Sequence, residues 1–569
     1  MSTKNIVTDS DQIEGQSNNE TDMEYGNSNR KPRTGFHVLF LSSDTGGGHR
    51  ASAESLAHQF QRLYPGTTYD LVDVVTKDGV PPYNNAVAFY KHLSKNPAQW
   101  KIVYTVSNTR AFEMIADVHT RLMCERSMRK TIKSYEPDVV VSVHPLMTNV
   151  PSLACAKISQ ETGKHLPMFT VVTDLGSAHA MWFANTVEKV FVGSEQLKEL
   201  AKTRGKVPDE KLVLVGLPIR YDFSVQAEKL GNRMSVEGKA YQCEIRKALG
   251  ISSPDRKMIL AMGGGEGVGS LSNIVDALYI ELVERGVDAA VMVVCGRNEE
   301  LKEKLAERNW DQVLLEHRQQ LKSRDGAFGG IVNCGRNTEG PGCIEGSVVT
   351  SHIRRILSSG ALIQDEDFAT TGEADLHIEN AARERKTSID DNDMRGSLES
   401  QSIQETTVDK EESAFSDTIL QNETPVNIDV ISLGFVTQMA EYMVAADVLV
   451  TKAGPGTISE AAALSLPVML TSFLPGQEEG NVDFVVQGNF GAFCSDQDPG
   501  GVAEGVVSWL QDEKKLTELS EAAKANGSPS AAADIVRVIG DSTLKWREIN
   551  TVQKVVASGE DCAGRQGSD

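Results

Sequence analysis

The chain predicts an α/β protein made of two doubly wound, Rossmann-like domains facing each other across a cleft. Three observations carry this expectation. Short apolar runs alternate with helical or turn stretches from residue 36 to about 228, and the alternation restarts at residue 257. Three glycine turns each stand between a predicted strand and a predicted helix, one in the first half and two in the second. The length of 569 residues is more than one ordinary domain.

The elements follow in order. Residues 1–35 are polar and are expected to be a disordered tail. "FHVLFLSS" (36–43) reads as a buried strand, and the glycines after it as a turn. "ASAESLAHQFQRLY" then reads as an amphipathic helix, with Ala51, Leu56, Phe60 and Leu63 on or near one face. "YDLVDVV" (69–75), "PDVVVSVHP" (137–145), "PMFTVVTD" (167–174) and "KVFVGS" (189–194) continue as strands, which gives a first domain over 36–228. Polar "AEKLGNRMSVEGKA" (227–240) reads as a linker.

A second domain over 241–540 contains "KMILAMGGGEGVG" (257–269), "DAAVMVVCGRN" (288–298), "IDVISLGFV" (428–436), "ADVLVTKAGPGTISEAAA" (446–463) and "PVMLTSF" (467–473). Residues 541–569 are expected to form a C-terminal helix and tail. From about 312 to 427 the pattern lapses into Ser, Thr, Asp, Glu, Gly and Asn, which reads as a mostly disordered insertion with a short helix near 348–362. Between residues 361 and 428, 17 Asp and Glu stand against 5 Lys and Arg, so over half of the chain's net charge of -22 lies there.

That charge, with a pI near 5.1, excludes a nucleic-acid binder that relies on a basic surface. Eight cysteines without a CxxC pair argue against a zinc ribbon or a disulfide framework, and a reducing compartment is the plain reading. No apolar run reaches the roughly 18 residues of a membrane span, so any membrane contact is expected to be peripheral. The N-terminal stretch has no apolar core and carries several acids, unlike a signal or transit peptide.

Chemistry concentrates at the glycine turns. Gly46, Gly47 and Gly48 precede His49; Gly264 and Gly265 follow a strand of the second domain; Gly454, Pro455, Gly456 and Thr457 follow another. Glycines there let a ligand approach the backbone, and the helix N–H groups favour phosphate, so a nucleotide-type ligand is expected in the cleft. Gly46, Gly48 and Ala51 also fit a dinucleotide fingerprint, with Asp73 as its acid, but His49 would crowd a pyrophosphate and the other two turns go unexplained.

At a helix mouth the dipole disfavours the imidazolium, so His49 is expected to stay neutral near pH 7 and able to accept a proton. Asp44, Asp174 and His179 are candidates to orient it or to act instead, with Asp174 ranked next and an N-cap as its plainer role. Lys452 offers a point charge near a pyrophosphate. Glu460 offers two acceptor oxygens for ribose hydroxyls, or simply complements its helix dipole. Gln477, Glu478, Glu479 and Asn481 in "PGQEEGNVDF" suit sugar hydroxyls, or form a solvated turn.

"SDTGGGHRASAE", "VHPLM", "GGGEG", "CGRN", "GFV", "KAGPGTISEA" and "GQEEGN" together resemble the monogalactosyldiacylglycerol synthases of plants and algae, in glycosyltransferase family 28. The likeness spans about 36–310 and 428–550. It implies a GT-B fold and an inverting, metal-free transfer of galactose from UDP-galactose, here a substrate and not a cofactor, to diacylglycerol. In that reading Glu460 takes the ribose, residues 454–457 the diphosphate, Phe435 and Val436 lie near the uracil, and Gln477 and Glu478 hold the galactose. His49 is the base, and the glycines before it leave room for the acceptor.

The resemblance also implies peripheral association with a plastid envelope. Diacylglycerol does not leave the bilayer, so a membrane-facing surface is expected. "PPYNNAVAFYKHLSKNPAQWKIVY" (81–104), with Tyr83, Phe89, Tyr90, Trp100, Tyr104 and its lysines, suits an interface, as do Trp182 and Phe183. Core packing of the same aromatics is the alternative.

Overall fold

The computed structural model describes residues 35–43, 47–93, 96–251, 253–263, 271–328 and 426–563. The expected tail before residue 35, the helix near 348–362 and the rest of 329–425 lie outside them.

Two parallel six-stranded sheets organise the two halves. In the first, β1 (His37–Leu41), β2 (Thr68–Val72), β3 (Val139–Ser142), β4 (Met168–Val171), β5 (Val190–Val192) and β6 (Leu212–Leu214) lie in the order β2-β1-β3-β4-β5-β6. In the second, β7 (Lys257–Met262), β8 (Ala289–Val294), β9 (Ile428–Leu433), β10 (Val448–Thr451), β11 (Val468–Leu470) and β12 (Gly491–Phe493) lie in the order β12-β11-β10-β7-β8-β9. The central strands β1, β3, β8 and β10 are buried at every position, as strands covered on both faces must be.

This is the two-sheet GT-B architecture, and its topology fixes where ligands meet it. The chain reverses direction across the first sheet between β1 and β3, and across the second between β7 and β10. Open α/β sheets bind ligands beyond the carboxyl ends of strands at such switch points. All three glycine turns follow strands that flank one: β1, β7 and β10.

Several expectations change. The polar stretch 227–240 is not an open linker: it runs through two helices, Tyr221–Leu230 and Val236–Ala248. Arg233 between them is 1% exposed. Its guanidinium donates to the carbonyls of Met443 (2.8 Å), Val444 (3.0 Å), Leu464 (2.8 Å) and Ala446, several of them the orphan acceptors that end helix Met439–Ala445. Helix Trp310–Phe328 occupies the start of the segment read as an insertion. Leu63, read as core-facing, is 36% exposed, whereas Leu56 and Phe60 of the same helix are buried.

The final helix, Ala531–Ala563, begins ten residues before the expected boundary and returns to the first half. Ile535, Val536 and Ile539 pack with Phe36 and Phe60. Arg547 pairs with Asp138 at 3.0 Å, and the Asn550 amide bonds both the N–H and the carbonyl of His165.

Candidate active site

His49 is the third residue of helix Gly47–Leu63, which starts just past the carboxyl end of β1. Asp44 and Gly46 lie outside the described residues. Among the described residues, a Cβ added to Gly48 would meet nothing within 4 Å, so their packing does not demand that glycine. The residue is 9% exposed. Nδ1 lies 2.7 Å from Thr173 Oγ1, and a ring N–H is bonded to the Val143 carbonyl. His144 meets the ring edge-on at 4.8 Å, and Trp182 lies 6.0 Å away. Burial pushes the imidazole down to about 4, opposed by the bond to Val143. The neutral ring expected from the helix dipole is thus chiefly a consequence of desolvation. His144 is lowered as well, by burial and then by His49.

Thr173, one residue before Asp174 in the loop after β4, is the side chain that meets the His49 ring. Asp174 is buried, and its Oδ2 accepts from Trp182 Nε1 at 2.7 Å. Burial pushes this carboxyl up to about 7; the Trp182 bond opposes the shift and the Glu478 charge adds to it. Trp182 is 0% exposed and Phe183 6%, so these two aromatics belong to the core and not to a membrane face. His179 bonds Ser107 Oγ at 3.2 Å and is held down to about 4, mainly by burial.

The second half supplies the opposite wall. Gly454 caps helix Pro455–Ala463, with Pro455 at its first position, where a missing N–H costs nothing. Among the described residues, a Cβ at Gly456 would meet nothing within 4 Å, and the nearest atoms to one at Gly454 belong to the Lys452 and Thr457 side chains. Lys452 Nζ pairs with Glu478 Oε1 at 2.9 Å, while Glu478 Oε2 accepts from Leu474 N at 2.9 Å. Glu460, read as open to a ribose, is already held: Arg220 Nε and Nη2 donate to its two oxygens at 2.7 and 2.8 Å.

Asn481, read as a sugar contact, is 0% exposed. Its Oδ1 accepts from Gly176 N at 3.1 Å and its Nδ2 donates to the Ala453 carbonyl at 3.0 Å, so it ties the loop after Asp174 to the glycine turn. A Cβ on Gly176 or Gly480 would strike the other's backbone, and Ser177 Oγ donates to the Gln477 carbonyl at 3.0 Å. The two walls therefore touch directly. The Gln477 Oε1 acceptor is buried and without a partner among the described residues. Phe435 is 69% exposed just past β9, with Val436 partly buried against the second half's core. Gly264 and Gly265 lie outside the described residues. Asp73, the acid of the dinucleotide fingerprint, is spent on Ser43 Oγ (2.6 Å) and on capping the helix Val74–Asp78.

Sequence reading missed Thr173 and Arg220, because each meets its partner far along the chain, 124 and 240 residues away. The only sequence signal for Arg220 was its place directly after "GLPI", where the first half's pattern ends.

Against known proteins, residues 49–219 match the model of the monogalactosyldiacylglycerol (MGDG) synthase family, and residues 379–535 match the glycosyltransferase family 28 C-terminal domain. A probable chloroplastic monogalactosyldiacylglycerol synthase of Glycine max is 27% identical over 506 residues, covering 88% of this chain and 70% of the relative. Monogalactosyldiacylglycerol synthase 1 of Arabidopsis thaliana is 26% identical over 507 residues, covering 88% and 69%. Among solved structures, MurG of Acinetobacter baumannii aligns at 12% identity with a TM-score of 0.43, covering 89% of this chain and 99% of that one. The calicheamicin glycosyltransferase CalG4 aligns at 11% identity with a TM-score of 0.40, covering 89% and 98%. The chain thus matches the monogalactosyldiacylglycerol synthase model in its first half and the family 28 C-terminal model in its second, and it resembles the monogalactosyldiacylglycerol synthases along most of its length.

Proposed function

We propose that the protein transfers galactose from UDP-galactose to the free hydroxyl of a diacylglycerol, with inversion at the anomeric carbon, giving a β-galactolipid. The observation that carries this reading is the meeting of two unlike walls: a neutral, buried His49 on the helix that follows β1, and a glycine turn with Lys452 that follows β10 and opens a helix. The family matches support galactose as the sugar and diacylglycerol as its acceptor.

In this reading the donor diphosphate sits at the mouth of helix Pro455–Ala463. The N–H groups of 454–457 and Lys452 meet the charge that grows on the departing UDP, with no metal required. Lys452 leaves Glu478 to do so, which frees Glu478 for the sugar; the unpartnered Gln477 Oε1 accepts a second sugar hydroxyl. On the other wall, a neutral imidazole carries one unprotonated nitrogen, and His49 takes the acceptor's proton as its oxygen attacks. A ring this weakly basic gains the proton late, as its developing positive charge is met by the diphosphate of the donor.

The acceptor arrives from a membrane. No helix among the described residues is long and apolar enough to cross one. Of the aromatics in 81–104 only Phe89 is largely exposed, because Tyr90, Trp100 and Tyr104 stack in sequence toward His179. The exposed apolar face lies next to them, on Ile102 and Val106 of helix Pro97–Ser107 and on Ile115, Val118 and Leu122 of helix Arg110–Tyr135. Exposed Arg110, Arg121, Arg126 and Lys130 border it, a composition suited to the plane of an anionic bilayer surface.

The test is product identity. Full-length protein is mixed with diacylglycerol vesicles and, separately, UDP-galactose, UDP-glucose and UDP-N-acetylglucosamine, and products are identified by mass spectrometry and NMR. A β-galactosyl lipid from UDP-galactose alone is expected. A glucosyl or N-acetylglucosaminyl product would reassign the donor, and no product from folded protein would overturn the reading.

A further inference from the structure

Glu460 is the carboxylate to which the donor reading gives the ribose, yet both its oxygens are already engaged by one guanidinium. Arg220 approaches in fork geometry, Nε to Oε1 at 2.7 Å and Nη2 to Oε2 at 2.8 Å. A carboxylate offers about four lone-pair sites, so such a fork uses one on each oxygen and leaves one on each. Two adjacent hydroxyls need that remaining pair. The two side chains differ in exposure, 45% for Arg220 and 10% for Glu460, so the carboxylate is the sequestered member and the arginine closes it from the solvent side.

Arg220 is itself well fixed. It is the residue before helix Tyr221–Leu230, its guanidinium lies 4.7 Å from the Phe223 ring centroid, and the preceding carbonyl, of Ile219, accepts a hydrogen bond from Ser55. Ser55 lies on the same helix as His49, and Glu460 lies one turn past the glycine turn on its own helix. The fork thus joins the helix of the proposed base to the helix of the proposed diphosphate site.

We propose that Arg220 is a positioning residue for donor binding: its fork orients the Glu460 carboxylate so that the remaining lone pair on each oxygen accepts a ribose hydroxyl. The inference rests on the donor-side reading above. The electrostatics run the same way, since burial raises the Glu460 carboxyl and Arg220 opposes that rise.

The experiment measures affinities of the full chain for UDP and 2′-deoxy-UDP by calorimetry, for the wild type, Arg220→Gln, Glu460→Gln and the double variant. Wild type is expected to prefer UDP by on the order of tenfold, the scale of a hydrogen bond to a charged acceptor. Arg220→Gln is expected to reduce that preference to about threefold or less, as is Glu460→Gln, and the double variant is expected to match Glu460→Gln. A purely structural arginine would lower both affinities and leave their ratio alone.

A full preference retained in Arg220→Gln overturns the proposal. So does a double variant that loses the sum of both single losses, which would mean that Arg220 holds the nucleotide by a contact of its own. Should Arg220→Gln fail to fold around an unpaired carboxylate, Glu460→Gln against the double variant decides, because the double variant leaves no buried charge without its partner. A wild type that binds UDP with no ribose preference, or not at all, instead removes the donor-site reading itself.

Discussion

On the first half's wall His49, His144, Asp174 and Trp182 are all less than a tenth exposed, and burial suppresses whatever charge they could carry. On the second half's wall the charged groups are paired, Lys452 with Glu478 at 2.9 Å and Glu460 with Arg220 of the first half at 2.7 Å. Under the proposed transfer, the contrast follows from what each wall would have to meet. A proton acceptor for a lipid hydroxyl must stay neutral until the reaction, and desolvation enforces that. A wall for a diphosphate and a ribose needs ionised groups in place beforehand, and ion pairs hold them while the donor is away.

The sharpest way to break the contrast is to remove the neutral base. His49→Ala is expected to lower turnover on the order of a thousandfold, within the range of general-base catalysis, while UDP affinity stays within about twofold. Single-turnover rates and calorimetry on the same preparation check it. A large loss of UDP affinity would place His49 with the donor, and the two walls would no longer divide the work.

The second wall depends on a support that composition hides. Arg233→Met is expected to cost about 3 kcal/mol of stability, because the buried carbonyls of Met443 and Leu464 lose their side-chain donor and those of Val444 and Ala446 keep only Gln242. Urea unfolding checks this. A loss under about 1 kcal/mol would mean that the helix end finds other partners.

What the sequence made legible, and what it did not, divides along similar lines. Long apolar strands such as β1, β7 and β8 are visible because parallel strands buried on both faces read as unbroken hydrophobic runs. β6 and β12 were missed: each has three residues at a sheet edge and is only partly buried, so neither periodicity nor a run marks it. The stretch 227–240 looked like a linker because its polar residues were assumed to face water, whereas Arg233 is spent on backbone carbonyls. At the site, His49 was legible from its glycine turn, a local signal. Thr173, Arg220 and the structural use of Asn481 were not, because each depends on a partner brought close only by the fold.

The finest test asks which buried group on the first wall takes the proton. Asp174 has its carboxyl raised to about 7 by burial, and His49 its ring lowered to about 4 by the same cause. If His49 is the base, kcat/KM stays level from pH 8 down to pH 5, since the ring is neutral throughout. If Asp174 is the base, kcat/KM falls below pH 7, roughly tenfold per unit, as the carboxyl is protonated. Stability does not mimic this. The folded state holds the Asp174 proton that the unfolded chain releases above pH 3.8, so that group's contribution to stability falls as pH rises toward 7. His49 acts in the opposite sense: its contribution is lost as pH drops from 6.5 toward 4, because the unfolded chain takes up a proton that the buried ring refuses. Over pH 5 to 6.5 the two slopes oppose each other, so an acid loss of activity without a parallel loss of melting temperature would assign the proton to Asp174. Activity level down to pH 5 in the wild type, and in Asp174→Asn a smaller fall in turnover than in His49→Ala, is the outcome expected from a desolvated histidine base oriented by Thr173.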